Sequence, residues 1–168
     1  MPGLVLEGGT FRPVFSCGVM DALLDHDIMF DYVVGVSAGI TYAISYLSRQ
    51  RGRNLEVLRR YRGDSRYLGV RNLPHDHSIF GTDFVFDTIP NQLIPFDWEA
   101  YHRYKGRILV GVTNAETGRA EYLDGAKLDR TCTMLRATCA IPLYFPPVHL
   151  GGAVFYDGGI ADPVPIVK

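Results

Sequence analysis

The chain lacks an excess of charge of either sign: Lys and Arg number 17 against 18 Asp and Glu, a formal net charge of −1. A basic stripe of the kind that binds nucleic acid or anchors on anionic lipid is therefore not expected. Cysteine is scarce and odd in number, at Cys17, Cys132 and Cys139. All three sit in apolar, helix-like stretches instead of at paired metal spacings, which favours packed, reduced thiols and a cytoplasmic or at least reducing setting. No apolar run approaches the ~18 residues needed to span a bilayer, so membrane contact is expected to be peripheral. The N-terminus opens directly on Leu4-Val5-Leu6, with no charged region, long apolar core or cleavage site of a signal peptide. Repeats and low-complexity tracts are absent too. What remains is 168 residues that are 47% hydrophobic, enough for one core and one domain.

That domain reads as α/β. Leu4 to Leu6 is a short strand pattern, followed by a glycine turn and a helix from Pro13 to Asp25 with Val14, Phe15, Gly18, Val19, Ala22 and Leu23 at helical spacing. Tyr32 to Val36 repeats the strand and Ala38 to Leu47 the apolar helix, and that alternation implies a parallel sheet covered by helices. Asn54 is expected to cap a third, charged helix with Leu55, Leu58 and Tyr61 on its apolar face. Residues 64–106, rich in proline, aromatics and histidine, read as an irregular packed cap that shapes a substrate mouth. Ile108 to Thr113 and Ala120 to Leu123 read as an antiparallel pair. Lys127 to Ala140 reads as a helix stopped by Pro142, with Leu128, Cys132, Leu135 and Cys139 on one face.

Three short motifs carry chemistry. Gly35-Val36-Ser37-Ala38-Gly39 is a G-x-S-x-G run between an apolar strand and an apolar helix. A serine on so tight a turn adopts strained backbone angles, needs the flanking glycines, and is presented at a helix N-terminus. Gly8-Gly9-Thr10-Phe11-Arg12 is a glycine-rich turn whose N–H groups suit an anion, without the Gly-Lys-Ser/Thr ending of a nucleotide loop. Arg12 can brace that loop or meet a lipid phosphate. Asp157-Gly158-Gly159 ends a strand with a carboxylate. A serine nucleophile needs a base, and the candidates are a carboxylate or one of His26, His75, His77, His102 and His149. None of the histidines sits in a strand-end setting like that of Asp157. His75-Asp76-His77 is far from a zinc pattern, so no metal or other cofactor is expected.

In that order, glycine loop, G-x-S-x-G and late D-G-G, the sequence resembles the patatin-like phospholipase family. Further similar stretches are Thr113 to Gly118, Arg136 to Pro142 and Tyr144 to Val148, which look like fold markers. The resemblance implies a three-layer α/β/α domain with a mainly parallel sheet and a Ser37–Asp157 dyad hydrolysing lipid esters through an acyl-enzyme. Gly8, Gly9 and Thr10 would form the oxyanion hole, and Gly35 and Gly39 would frame the nucleophile. Thr10 stands where the family usually has a third glycine, and Pro13 where it has a last one; a Thr drawn to positive φ would strain the loop. The chain stops eleven residues after Asp157, where the family continues with more sheet and helix. The resemblance therefore implies a missing C-terminal part, with an uncovered edge or face that a second copy could fill. Two other readings stay open: an α/β-hydrolase whose triad includes a histidine such as His149, and an inactive lipid-binding or interaction module.

Overall fold

The computed structural model describes residues 2–168. Six strands form one sheet: β1 (Leu4–Leu6), β2 (Tyr32–Val36), β3 (Arg107–Asn114), β4 (Ala120–Asp124), β5 (Val148–Leu150) and β6 (Ala153–Asp157). β1, β2 and β3 are parallel neighbours, whereas β4 and β6 run antiparallel to β3, and β5 antiparallel to β6. The sheet is thus mixed, its parallel part confined to the first three strands.

One detail of register positions the site. Val36 of β2 lies opposite Gly111, and Asp157 of β6 lies opposite Val112, the next residue of β3. A strand has two edges, and β4 already runs along one of them from Leu109 to Thr113. β2 and β6 therefore share the other edge end to end, and the turn leaving β2 meets the end of β6.

The helices are α1 (Val14–Asp25), α2 (Ser37–Leu47), α3 (Arg53–Tyr61), α4 (Leu73–Asp76), α5 (Trp98–Arg103) and α6 (Thr133–Thr138). α2 packs on β1 and β2, α6 packs on β3, β5 and β6, and the two touch each other, so both lie on one face. α1 packs on α2, and α3 on both. The physical reason is handedness: β1, β2 and β3 advance in one direction, and right-handed crossovers then keep their connections on one side. On the opposite face, where the three-layer expectation puts a second helical layer, the described residues supply the C-terminal segment. Tyr32 Oη donates to the Lys168 carbonyl at 2.7 Å, Tyr122 Oη donates to Asp162, and the Lys168 ammonium lies 4.9 Å from the Tyr122 ring centre. Among the described residues no helix is long and apolar enough to cross a membrane.

Three local expectations are corrected, and the covered face of α1, which the sequence left open, is fixed. In α1 the buried side chains are Cys17 and Met20, while Phe15 is 79% exposed and Val14 and Val19 are also exposed. The Val14-Gly18-Ala22 stripe stays exposed, whereas the side turned toward α2 carries Cys17 and Met20, with Leu23 packed against the same core. Asn54 does not cap α3. That position belongs to Gly52 at φ 74, and the Asn54 side chain instead accepts from Ser45 Oγ and donates to the Tyr42 carbonyl, both at 2.8 Å. Residues 64–106 are more ordered than their composition suggests, holding α4, a wide π-helical stretch Phe84–Leu93 and α5. Finally, the helix expected over 127–140 is confined to Thr133–Thr138, because Cys132 has a left-handed φ of 56 that no continuous helix passes through.

Candidate active site

The G-x-S-x-G turn is built by close approach of backbone to backbone. A Cβ on Gly39 would lie 2.3 Å from the Glu7 carbonyl oxygen, and one on Gly35 would lie 3.0 Å from both the Cβ and the carbonyl oxygen of Leu6. β1 and the loop after it run directly against the turn, so both positions must lack a side chain. Ser37 between them holds φ 52, the left-handed region that costs a non-glycine residue on the order of 1–2 kcal/mol. That strain aims its hydroxyl away from the helix it begins. The seryl Oγ donates to Asp157 Oδ2 at 2.7 Å, in a setting where Ser37 is 6% and Asp157 5% exposed.

Asp157 is held on every side. Its second oxygen, Oδ1, accepts the Gly159 N–H at 2.8 Å, its own N–H donates to the Ala140 carbonyl at 2.9 Å, and Thr113 Oγ1 donates to its carbonyl at 2.8 Å. Burial raises its carboxyl above the usual carboxylate range, against the opposing pull of the hydrogen bonds from Ser37 and Gly159. The desolvated carboxylate therefore holds a proton more readily than an exposed one. All five histidines are exposed, and none lines a cleft with Ser37. The histidine-triad reading, His149 included, has no geometric basis here. Asp76, between His75 and His77, accepts from Thr82 Oγ1 at 2.7 Å.

The glycine loop lies against the serine. A Cβ on Gly8 would be 3.0 Å from Ser37 Cβ, and one on Gly9, at φ 136, would strike Arg12 Nε at 2.6 Å. The Arg12 guanidinium thus lies on Gly9, with Nη2 donating to the Gly8 carbonyl at 3.4 Å and the Arg12 N–H to the Gly9 carbonyl at 2.9 Å. Thr10 does adopt the strained conformation, at φ 53. Pro13 immediately precedes α1 at φ −64, where a missing N–H costs nothing. The N–H groups of Gly8, Gly9 and Thr10 donate to no protein acceptor among the described residues.

Ser37 stands where two clefts meet. One is lined mainly by apolar side chains, among them Phe11, Tyr67, Phe80, Val85, Phe86 and Phe145. The other is lined by Glu7, Gly8, Gly9, Arg12, Asp157 and Gly159, and the clefts share Thr10, Ser37 and Ile141. Residues 64–106 contribute Tyr67, Phe80, Thr82, Val85 and Phe86 to the apolar side. Cys139 lies there as well, its thiol 3.3 Å from Thr41 Oγ1 and pushed up to about 12 by burial and then by the nearby Asp157. It remains a neutral thiol at physiological pH. The structure thus brings Gly8, Gly9, Thr10, Arg12, Ser37 and Asp157 together, with Gly35 and Gly39 beneath. The sequence reading gave no role to Thr138, which accepts the Ser37 N–H at 2.8 Å, nor to Gly111. A Cβ on Gly158 would lie 2.2 Å from the Gly111 carbonyl oxygen. A lone threonine and a glycine inside a strand carry no signal of their own.

A family model described as patatin-like phospholipase matches residues 4–167. Among individual proteins, the Escherichia coli strain K12 protein YjjU, described as uncharacterized, is 24% identical over 97% of this chain and 46% of its own length. The protein called lysophospholipase NTE1 in Debaryomyces hansenii is 26% identical over 99% of this chain and 11% of its own length. Its namesake in Aspergillus niger is 25% identical over 95% of this chain and 10% of its length. The chain thus spans about half of one relative and a tenth of the others.

Proposed function

The chain belongs to the patatin-like phospholipase family, and from that premise we propose that it hydrolyses carboxylic esters of lipids, with Ser37 as nucleophile and Asp157 as its base. The single observation that carries this reading is the 2.7 Å contact from Ser37 Oγ to Asp157 Oδ2, buried at the meeting of two clefts. In the first half-reaction Asp157 takes the seryl proton while Oγ attacks the ester carbonyl carbon. The developing oxyanion is met by the N–H groups of Gly8, Gly9 and Thr10, each such donor contributing roughly 3 kcal/mol. Protonated Asp157 then returns the proton to the departing alcohol, leaving an acyl-serine. Water, deprotonated by the same carboxylate, releases the fatty acid. The apolar cleft suits the acyl chain, and the cleft beside Arg12 suits the alcohol portion with any phosphate it carries. The names of the NTE1 relatives support a lysophospholipid among the substrates.

The test is hydrolysis of p-nitrophenyl esters from butyrate to laurate and of a lysophospholipid, with fluorophosphonate labelling mapped by peptide mass spectrometry. Turnover with the label on Ser37 is the expected result. Folded protein that neither turns over nor labels would make the chain a non-catalytic lipid-binding module instead.

The proposed contact with lipid is the rim of the apolar cleft. Leu143 is fully exposed, held at φ 69, and Tyr144 beside it is 56% exposed. Both lie between Ile141 and Phe145, which line the apolar cleft. Replacing Leu143 with Asp, a residue that tolerates left-handed φ better, is expected to leave p-nitrophenyl butyrate hydrolysis unchanged. Losing one inserted leucine should slow hydrolysis of vesicle-bound substrate about tenfold. Equal rates on vesicles for variant and wild type would remove this rim from the lipid contact.

A further inference from the structure

A strained turn with a buried amide needs a partner that keeps it in place. Ser37 is that case: its φ is 52 and the residue is 6% exposed, so its N–H must find an acceptor within the protein. The acceptor is not backbone but the Thr138 hydroxyl, at 2.8 Å, and the same hydroxyl donates to the Gly111 carbonyl at 2.5 Å. Thr138 is 0% exposed, so no bulk water can take its place. Gly111 is the β3 partner of Val36, the residue just before the serine. One hydroxyl therefore ties the turn back to the strand beside it.

Two residues further on, the Ala140 carbonyl accepts the N–H of Asp157 at 2.9 Å. The run Thr138-Cys139-Ala140 thus touches the backbone of both members of the Ser37–Asp157 pair from one side, its first residue through a side chain and its last through a carbonyl. We infer that Thr138 is a positioning residue for the dyad: its hydroxyl fixes the Ser37 backbone so that Oγ stays in line with Asp157, whose backbone the same three-residue run holds. Because the Ser37 N–H is taken up by Thr138, it is withheld from the reacting carbonyl, and the glycine loop carries that task. This inference rests on the dyad reading above and extends it to a residue that touches neither substrate nor proton.

The experiment compares wild type with Thr138→Val, which keeps the shape and loses the hydroxyl, and Thr138→Ser, which keeps the hydroxyl and loses the methyl. Steady-state hydrolysis of p-nitrophenyl butyrate, the rate of fluorophosphonate labelling and the melting temperature are read for each. Misplacing the nucleophile should lower kcat and labelling by about a hundredfold in Thr138→Val with KM nearly unchanged, while Thr138→Ser stays within about threefold of wild type. Folded Thr138→Val within threefold of wild type overturns the inference. So does Thr138→Ser falling as far as Thr138→Val at a native melting temperature, since packing of the methyl would then be the cause. If Thr138→Val does not fold, Thr138→Ala is read in the same way. If neither folds, or if wild type itself is inert, in which case the dyad reading fails separately, amide hydrogen exchange of Ser37 decides. Strong protection in wild type that persists in Thr138→Ser, and is lost in Thr138→Val where that variant folds, supports the bond as the brace; an unprotected Ser37 amide in wild type, protection lost in folded Thr138→Ser, or protection unchanged in folded Thr138→Val overturns it.

Discussion

Asp157→Asn is expected to lower kcat by about a thousandfold, the scale of a lost general base, while leaving the protein at least as stable at neutral pH. The two halves come from one cause. Asp157 sits at 5% exposure and its carboxyl is raised by burial above the usual range. A carboxyl whose folded-state pKa lies above its unfolded value, about 3.9, favours folding in its protonated form. The stability it contributes is present at low pH and is lost as pH rises through the folded-state value. At pH 7 the buried charge is therefore a net cost, kept because the reaction needs a base. The amide of Asn removes the charge and can still accept the Gly159 N–H through its oxygen. Melting curves at pH 7.5 and pH 4 are the check: the variant should melt no lower than wild type at the higher pH, and any advantage should shrink at the lower. In wild type, activity should fall on acidification with a midpoint above the usual carboxylate range, because protonated Asp157 cannot take the seryl proton. A variant retaining more than a tenth of wild-type kcat would show that Asp157 is not the base.

Gly39→Ala is expected to damage fold and active site together. The added Cβ would lie 2.3 Å from the Glu7 carbonyl oxygen and 3.0 Å from that of Leu6. Both neighbours are backbone, so relief requires moving the loop after β1, which leads into Gly8, Gly9 and Thr10. Overpacking of this kind costs about 3 kcal/mol, or a fall in melting temperature of roughly 6–12 °C for a chain of this size. Fluorophosphonate labelling of Ser37 should also be lost, since turn and glycine loop shift together. Gly18→Ala is the matched control. A Cβ there meets nothing within 4 Å in the middle of α1, and replacing a helical glycine by alanine stabilises by about 0.5–1 kcal/mol. A Gly39→Ala protein with wild-type melting and labelling would mean that the turn has room to relax.

The parts of this molecule legible in its sequence are those whose reasons are local. Gly35-Val36-Ser37-Ala38-Gly39 announces itself because a left-handed serine between two side-chain-free positions is a requirement of backbone sterics, written directly in residue type. Asp157-Gly158-Gly159 is legible for a similar reason: the second glycine N–H turns back onto the aspartate two residues earlier. Even the strain at Thr10 is readable, because the glycine loop's path demands positive φ whatever residue stands there. β2 and β3 arise from continuous apolar runs, nearly all of whose residues are buried.

What the sequence by itself determined, then, is the α/β class, the nucleophile turn, the glycine loop and the carboxylate, each specified by residues a few positions apart. Tertiary structure alone decided which stripe of α1 is covered, because helical periodicity says which side chains share a face and not which face meets a neighbour. It also decided that β6 runs antiparallel and abuts the end of β2, because strand direction depends on the path of the connecting chain. Finally, it decided that Thr138 meets Ser37 across 101 positions and Asp157 meets it across 120. Contacts at such separations have no local pattern to betray them, since they exist only once the sheet has brought the ends of β2 and β6 together along one edge of β3.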